Sequence, residues 1–228
     1  MTSLRHILRP TRTITFDCYG TLIDWNAGLG RAFVDAFGPA AERRAGELFA
    51  AYVQIEAEIE AGPYRRYREV LAEVLVRLAE RFGFDLPADR RYALAESLPG
   101  WRPFADTNQA LAKLKRRFQL GVLSNVDRDL FAGTARQFDT PFDFVITAED
   151  VQGYKPAHGH FQRLIESSGG PETVLHVAQS LFHDGRPAAA LGLAFAWINR
   201  YKDPPDKHVP VLAEFEDLRS LAEAACGG

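Results

Sequence analysis

Thr13-Ile14-Thr15-Phe16-Asp17-Cys18-Tyr19-Gly20-Thr21-Leu22 is the stretch that decides how the rest of the chain is read. Its β-branched and aromatic start, Thr13 to Phe16, has the composition of a short buried strand. That strand ends on a carboxylate, closely followed by an aromatic hydroxyl, a glycine and a threonine. A carboxylate at the end of a core strand costs desolvation unless neighbours satisfy it. The carboxyl ends of parallel strands are also where open α/β sheets bind ligands. Asp17 is therefore a candidate nucleophile whose partners must come from elsewhere in the chain. A plain turn favouring Asp and Gly would look the same locally.

Beyond Thr21 the pattern changes. From Trp25 to Leu98 the spacing is helical and strand signals are nearly absent. Leu48, Phe49, Tyr52, Ile55 and Ile59 recur on one helical face, with Glu47, Glu56, Glu58 and Glu60 between them. After Pro63, the residues Tyr67, Val70, Leu71, Val74, Leu75, Leu78 and Phe82 make a second apolar face, which Gly83 stops. A shorter helix is predicted over 88–97. From Pro99 the chain alternates, with helices expected over 106–117, 127–137, 158–168, 186–191 and 218–225. Strands are expected over 120–123, 142–147, 174–178 and 194–198. This alternation implies βαβ units in a parallel sheet with helices on both faces. Right-handed crossovers then gather the strand C-termini on one edge. The expected fold is a Rossmann-like, doubly wound α/β core of residues 1–22 and 99–228, with a helical domain, 23–98, inserted after the first strand.

Composition bounds the possible roles. The 228-residue chain is 46% hydrophobic and 25% charged, with a formal net charge of −3, ordinary for a soluble globular protein. That balance gives no ground for nucleic acid or a membrane as partner. Arg5, Arg9 and Arg12 are scattered among apolar and small residues and read as a solvated arm. The two cysteines, Cys18 and Cys226, have no metal-ligand or disulfide spacing, which fits a reducing cytoplasm. Cys18 reads as a small buried residue rather than a reactive thiol. The N-terminus lacks a secretory-type apolar core, and no apolar run approaches a membrane span.

The strand ends on the shared edge carry Asp17, Ser124-Asn125, the Lys155 loop and the approach to Asp184. Singly, each is ordinary: a helix cap, a solvated lysine, a turn aspartate. Together they make chemical sense. An ammonium from Lys155 keeps a nucleophilic carboxylate ionised. Thr21, Ser124 and Asn125 can hold that carboxylate or stabilise developing charge. Asp184 can orient Lys155 or help activate water.

This ordered series, Asp17-x-Tyr19-Gly20-Thr21, Ser124-Asn125, Lys155-Pro156 and Asp184, resembles the four signature motifs of the haloacid dehalogenase superfamily, and the helical insertion resembles its cap domain. Within the superfamily the resemblance is strongest to the type II 2-haloacid dehalogenases and their unassigned relatives, through Phe16-Asp17-x-Tyr19-Gly20-Thr21-Leu22 and Trp197-Ile198-Asn199-Arg200. Where the superfamily's magnesium-dependent phosphatases carry a second aspartate that protonates the leaving alkoxide, this chain has Tyr19. A phenol of pKa about 10 is a poor proton donor near neutrality. A halide leaving group needs no proton. The resemblance thus implies a cofactor-free hydrolase that converts a small 2-haloacid to a 2-hydroxy acid through an aspartyl ester.

The implied site comprises catalytic Asp17, Thr21, Lys155 and Asp184, and substrate-binding Tyr19, Ser124, Asn125 and Ser180, with no metal. The implied partners are a small anionic substrate and, by resemblance only, a second copy in a homodimer. Two positions depart from the dehalogenases. Ala50 or Ala51 stands where they carry a halide-holding arginine, and Leu181 where they carry an asparagine. Arg65, Arg66 and Arg68 from the next helix, or Arg102 near the hinge, are the arginines available to substitute, although three arginines within four residues more often make a solvated face; His183 is either a site base or a surface residue. The alternatives are a phosphomonoesterase with an altered first motif, which would need magnesium, and a binding protein that kept the fold without turnover.

Overall fold

The structure, a computed structural model, describes residue 8 and residues 10–227; Arg5 and Arg9 of the expected arm lie outside the described residues, as does the terminal Gly228. Apolar runs form the strands β1 (Thr13–Phe16), β2 (Gln119–Ser124), β3 (Phe144–Thr147), β4 (Val174–Ala178) and β5 (Ala194–Ile198), joined at one edge by β6 (Ala213–Phe215). The order is β3-β2-β1-β4-β5-β6, and every pairing is parallel. All residues of β1 and β4 are buried, as expected of strands covered by helices on both faces. Phe16 lies in register with Val122 on one side and Val177 on the other. The strand order turns around β1, so Asp17 emerges at the crevice where doubly wound sheets bind ligands.

Between β1 and β2 lies the helical segment: α1 (Trp25–Phe37), α2 (Ala45–Glu60), α3 (Tyr67–Phe82) and α4 (Ala93–Ser97). Asp24 caps α1 by accepting from the Ala27 amide at 3.0 Å. Gly83 ends α3 in the left-handed conformation at φ 69°, which costs glycine no Cβ clash. Val70, Leu71, Val74, Leu75 and Leu78 of α3 are at most 1% exposed. Each contributes about 1.5–3 kcal/mol of burial as an upper bound. The start of α3 is capped from across the molecule. The buried Asp127 carboxylate accepts from the Tyr67 amide at 2.9 Å and the Arg68 amide at 3.0 Å, two donors that the helix cannot satisfy itself. Tyr154 Oη adds a bond to the Arg65 carbonyl at 2.6 Å.

The remaining helices are α5 (Thr107–Lys115), α6 (Arg128–Ala135), α7 (Ala148–Val151), α8 (Gly159–Ser168), α9 (Arg186–Ala190) and α10 (Leu218–Cys226). Several differ from expectation for local reasons. The helix expected over 88–97 divides into a 3₁₀ turn, Ala88–Arg90, and α4. Asp106 makes no side-chain cap on α5. Its carboxylate is instead held by Arg200 at 3.1 and 3.2 Å and by the Leu218 amide at 2.7 Å. β6 has only three residues and an exposed Glu214, so it carries no hydrophobic signal. Among the described residues no helix is long and apolar enough to cross a membrane.

Gly28 of α1 packs closely on the link that leads from the helical segment back to the core. A Cβ there would stand 2.3–2.6 Å from Trp101 ring carbons. The buried Trp101 ring meets the Tyr19 ring edge-on at 5.9 Å. Gly28→Ala should lower stability by about 1–2 kcal/mol in urea unfolding, the overpacking outweighing alanine's better helix propensity. An unchanged or raised midpoint would show that Trp101 can move aside freely.

Candidate active site

The strand ends converge on one buried ammonium. Lys155 is 2% exposed, and its Nζ donates to Asp17 Oδ1 at 2.8 Å, Asp184 Oδ1 at 2.7 Å and the Leu123 carbonyl at 3.0 Å. All its donors are thereby used. The two carboxylates hold the Lys155 proton, raising its pKa against the opposing cost of burial. Asp184 is driven well below the usual carboxylate range: burial opposes this, but the Lys155 charge and the His176 bond prevail. Asp17 moves the other way. Burial, with the Asp184 charge, raises its carboxyl, while Lys155 and Thr21 pull it back.

Each partner is itself held. Thr21 Oγ1 donates to Asp17 Oδ2 at 2.9 Å and accepts from the Gln179 amide at 3.0 Å. Trp197 Nε1 donates to the Gln179 carbonyl at 2.7 Å, and Arg200 donates to the Thr21 carbonyl at 3.2 Å. Asn125 lines the cavity above these groups, but its amide is spent on the Lys155 loop. Its Oδ1 accepts from the Lys155 amide at 2.7 Å and its Nδ2 donates to the Lys155 carbonyl at 3.1 Å. Asn125 is thus a brace for the Lys155 loop that keeps one Nδ2 hydrogen uncommitted. Ser180 likewise caps the turn Leu181–Gly185, accepting from the His183 amide at 3.0 Å. Tyr19 presents its ring to the cavity, while its hydroxyl is tied to Thr134 Oγ1 at 2.7 Å. Burial raises the Tyr19 phenol far above its ordinary pKa, so it is no proton donor. Cys18 is fully buried and its thiol pushed up by burial, as suits a packing role.

Ser124 is different. Its Oγ is fully buried, has no partner, and lines the cavity. Asp184 Oδ2 is a second buried atom without a partner on the same cavity. Such atoms call for a ligand or water. His183 lines the cavity too, and burial lowers its pKa, leaving it neutral and able to accept a proton. The cavity measures about 410 Å³, room for a small organic molecule.

The candidate substitute arginines do not enter it; among the described residues no arginine lines the cavity. Arg65 pairs with Glu73 at 2.5 Å, Arg66 with Asp129 at 3.0 Å, and Arg68 also with Asp129. Arg102 is exposed. Their spacing on α3 and its approach is that of a solvated face turned to the acidic start of α6.

Three contributors were not singled out in the sequence. His176, at 0% exposure in β4, bonds Asp184 Oδ1 through Nε2 and Thr15 Oγ1 through Nδ1, each at 2.9 Å. A histidine inside an otherwise apolar strand was its only signal. Glu56 and Glu60 of α2 line the cavity, although helical periodicity puts them among polar, solvent-type positions.

A magnesium ion of the phosphatase kind does not fit this donor set. Asp17 Oδ1 and Asp184 Oδ1 both close on the Lys155 ammonium, Asp17 Oδ2 is taken by Thr21, and Tyr19 replaces a carboxylate. Only Asp184 Oδ2 stays uncommitted.

Residues 11–192 match the family model of haloacid dehalogenase-like hydrolases. The (S)-2-haloacid dehalogenase of Pseudomonas sp. (strain YL) is 27% identical over 202 residues, covering 82% of each chain. That of Pseudomonas fluorescens is 27% identical over 191 residues, 81% of this chain and 83% of its own. The L-2-haloacid dehalogenase structure from Xanthobacter autotrophicus superposes with a TM-score of 0.83 at 20% identity, covering 95% of this chain and 99% of that one.

Lys155→Met should leave Asp17 and Asp184 as facing, unpaired buried carboxylates, at a cost of about 3–5 kcal/mol. The Asp184 carboxyl is depressed in the folded protein, so its favourable pairing exists above the unfolded pKa and fades as pH falls. The deficit of the variant should accordingly be largest at neutral pH and shrink below about pH 4. A pH-independent deficit measured by thermal unfolding would contradict the ion-pair account.

Proposed function

The chain is a haloacid dehalogenase-like hydrolase, and from that premise we propose that it hydrolyses the carbon–halogen bond of a small 2-haloacid, giving a 2-hydroxy acid, with Asp17 as nucleophile. The observation that carries this reading is the Asp17 carboxylate, lining the cavity and aligned by Lys155 at 2.8 Å and Thr21 at 2.9 Å, beside a Tyr19 hydroxyl withdrawn to Thr134. A site with a fixed carboxylate and no proton donor at that position suits a leaving group that departs as an anion.

In the first step an Asp17 oxygen attacks C2, the new C–O bond forms, and halide leaves with the C–X electron pair. The product is an aspartyl ester. In the second step water attacks the ester carbonyl carbon of Asp17, its proton passing to Asp184 or the neutral His183 and on to the departing alkoxide. Asp17 then carries one water oxygen, and the product hydroxyl keeps the original Asp17 oxygen. Lys155 supports both steps, countering charge on the carboxylate and its tetrahedral adduct. The free Ser124 hydroxyl is suited to the substrate carboxylate. In this reading the helical segment 23–98 is a cap domain over the core, closing the cavity with α2 and the start of α3.

Halide release from 2-chloro or 2-bromo acids should be unaffected by EDTA, and Asp17→Asn should lower kcat on the order of 10⁴-fold or more. A single turnover in ¹⁸O-water should label Asp17 rather than the hydroxy acid. Because the Asp17 carboxyl is raised by burial and only its ionised form attacks, kcat/KM should fall with decreasing pH at a midpoint above the ordinary aspartate value. Magnesium-dependent phosphate release without halide release would overturn the proposal.

A further inference from the structure

The cavity wall is charged in a way that a simple haloacid anion does not explain. Asp17, Glu56, Glu60, Asp184 and Asp203 line it, and Lys155, the lysine among them, is consumed by Asp17 and Asp184. Glu56 and Glu60 stand one turn apart on α2, so their side chains are neighbours on one face. Glu56 Oε1 accepts from Tyr52 Oη and Tyr67 Oη, both at 2.6 Å. No described side chain bonds its other oxygen or the Glu60 carboxylate. A carboxylate pair facing a cavity without a counter-ion is costly. Burial and the Glu56 charge, opposed by Lys155, push the Glu60 carboxyl up to about 9. The pair therefore holds a proton near neutrality. Lys155 is the positive charge that acts on Glu60, and its own bonds go to Asp17 and Asp184; the tyrosines around Glu60, Tyr52, Tyr67 and Tyr154, supply none.

The same cavity is lined by Ser124, whose Oγ is fully buried and partnerless, on the strand end beside Lys155. It is an independent sign that a polar ligand group belongs here. Ser124 offers a hydroxyl near an ammonium that is already paired; Glu56 and Glu60 offer two carboxyl groups with no cation bonded to either.

We infer that the substrate is a small 2-halo acid that also bears a cationic amine, its ammonium taken by Glu56 and Glu60 and its carboxylate end by Ser124. The identity of the reacting bond rests on the carbon–halogen reading above; the ammonium subsite does not. Binding replaces the proton held on Glu60 by the ligand's positive charge, and the displaced proton leaves to solvent.

The test uses Asp17→Asn protein, which binds without turning over, titrated calorimetrically at pH 7.5 with 3-amino-2-chloropropanoate and with 2-chloropropanoate. Two buffers of different ionisation enthalpy read the proton balance. The amine-bearing acid should bind at least about 10-fold tighter, roughly 1.4 kcal/mol, and release a substantial fraction of one proton. Adding Glu56→Gln and Glu60→Gln should cut the advantage to about twofold or less and abolish the release. Equal affinities, or tighter 2-chloropropanoate binding with proton uptake, would overturn the inference, the latter making the glutamates acid donors to an anion.

Halide assays on the unaltered enzyme separate the two readings. Halide release at similar kcat/KM from both acids sinks the amine subsite and keeps the carbon–halogen reading. An amine-selective binding site with no halide release from either acid does the reverse. Folding is checked by melting. The folded chain binds the Glu60 proton more tightly than the unfolded one, so Glu60 costs stability increasingly as pH rises from 4.5 to about 9. Glu60→Gln should flatten the melting curve across that window rather than lower it.

Discussion

One ammonium, Lys155 Nζ, sets the geometry on which the rest of the site depends. Its three short bonds reach the end of β1 through Asp17, the end of β2 through Leu123, and the turn after β4 through Asp184. A buried ion pair is poor evidence of stability, because desolvation offsets most of its attraction. Its value here is directional. With every donor used, Lys155 cannot swing, and the Asp17 carboxylate is held from two sides by Lys155 and Thr21. Asn125 extends the same constraint backwards by bonding both backbone groups of Lys155.

Outward from that centre, the two parts of the molecule divide the work. The sheet supplies the candidate reacting groups and their orientation, through His176, Gln179, Trp197 and Arg200. The helical segment supplies the opposite wall, through Trp25, Glu56, Glu60 and Tyr67. The join between them is made by polar contacts as well as packing: the Asp127 carboxylate satisfies the first amides of α3, and Tyr154 reaches the Arg65 carbonyl. These bonds recruit the backbone of the arginine-rich approach to α3, whose side chains pair with Glu73 and Asp129. No arginine lines the cavity among the described residues, and its far wall is acidic.

How much of this was legible in the chain depends on the range of the interaction. Strand and helix alternation follows from side-chain periodicity, a local property, and from it the parallel sheet and the placing of Asp17, Ser124, Lys155 and Asp184 along one edge could be read, while the strand order and its switch point at β1 came only from the structure. Element ends were less legible, since they depend on groups from elsewhere; Asp106 looks like a helix cap but is claimed by Arg200 and the Leu218 amide. β6 was invisible because three partly exposed residues carry no pattern.

By itself, then, the sequence determined the fold class and the residues able to do chemistry, because both are written in hydrophobic period and residue type. Only the tertiary structure decided which of them are free to act. Asn125 commits its oxygen and one Nδ2 hydrogen to the Lys155 backbone, and Ser180 is engaged with the His183 amide and ring, while Ser124 keeps its hydroxyl unpartnered. Likewise Glu56 and Glu60 look solvated along α2, yet the packing of α2 over the strand ends turns them into the cavity. Hydrogen-bond satisfaction and desolvation are settled by neighbours distant in sequence, and no local pattern records them.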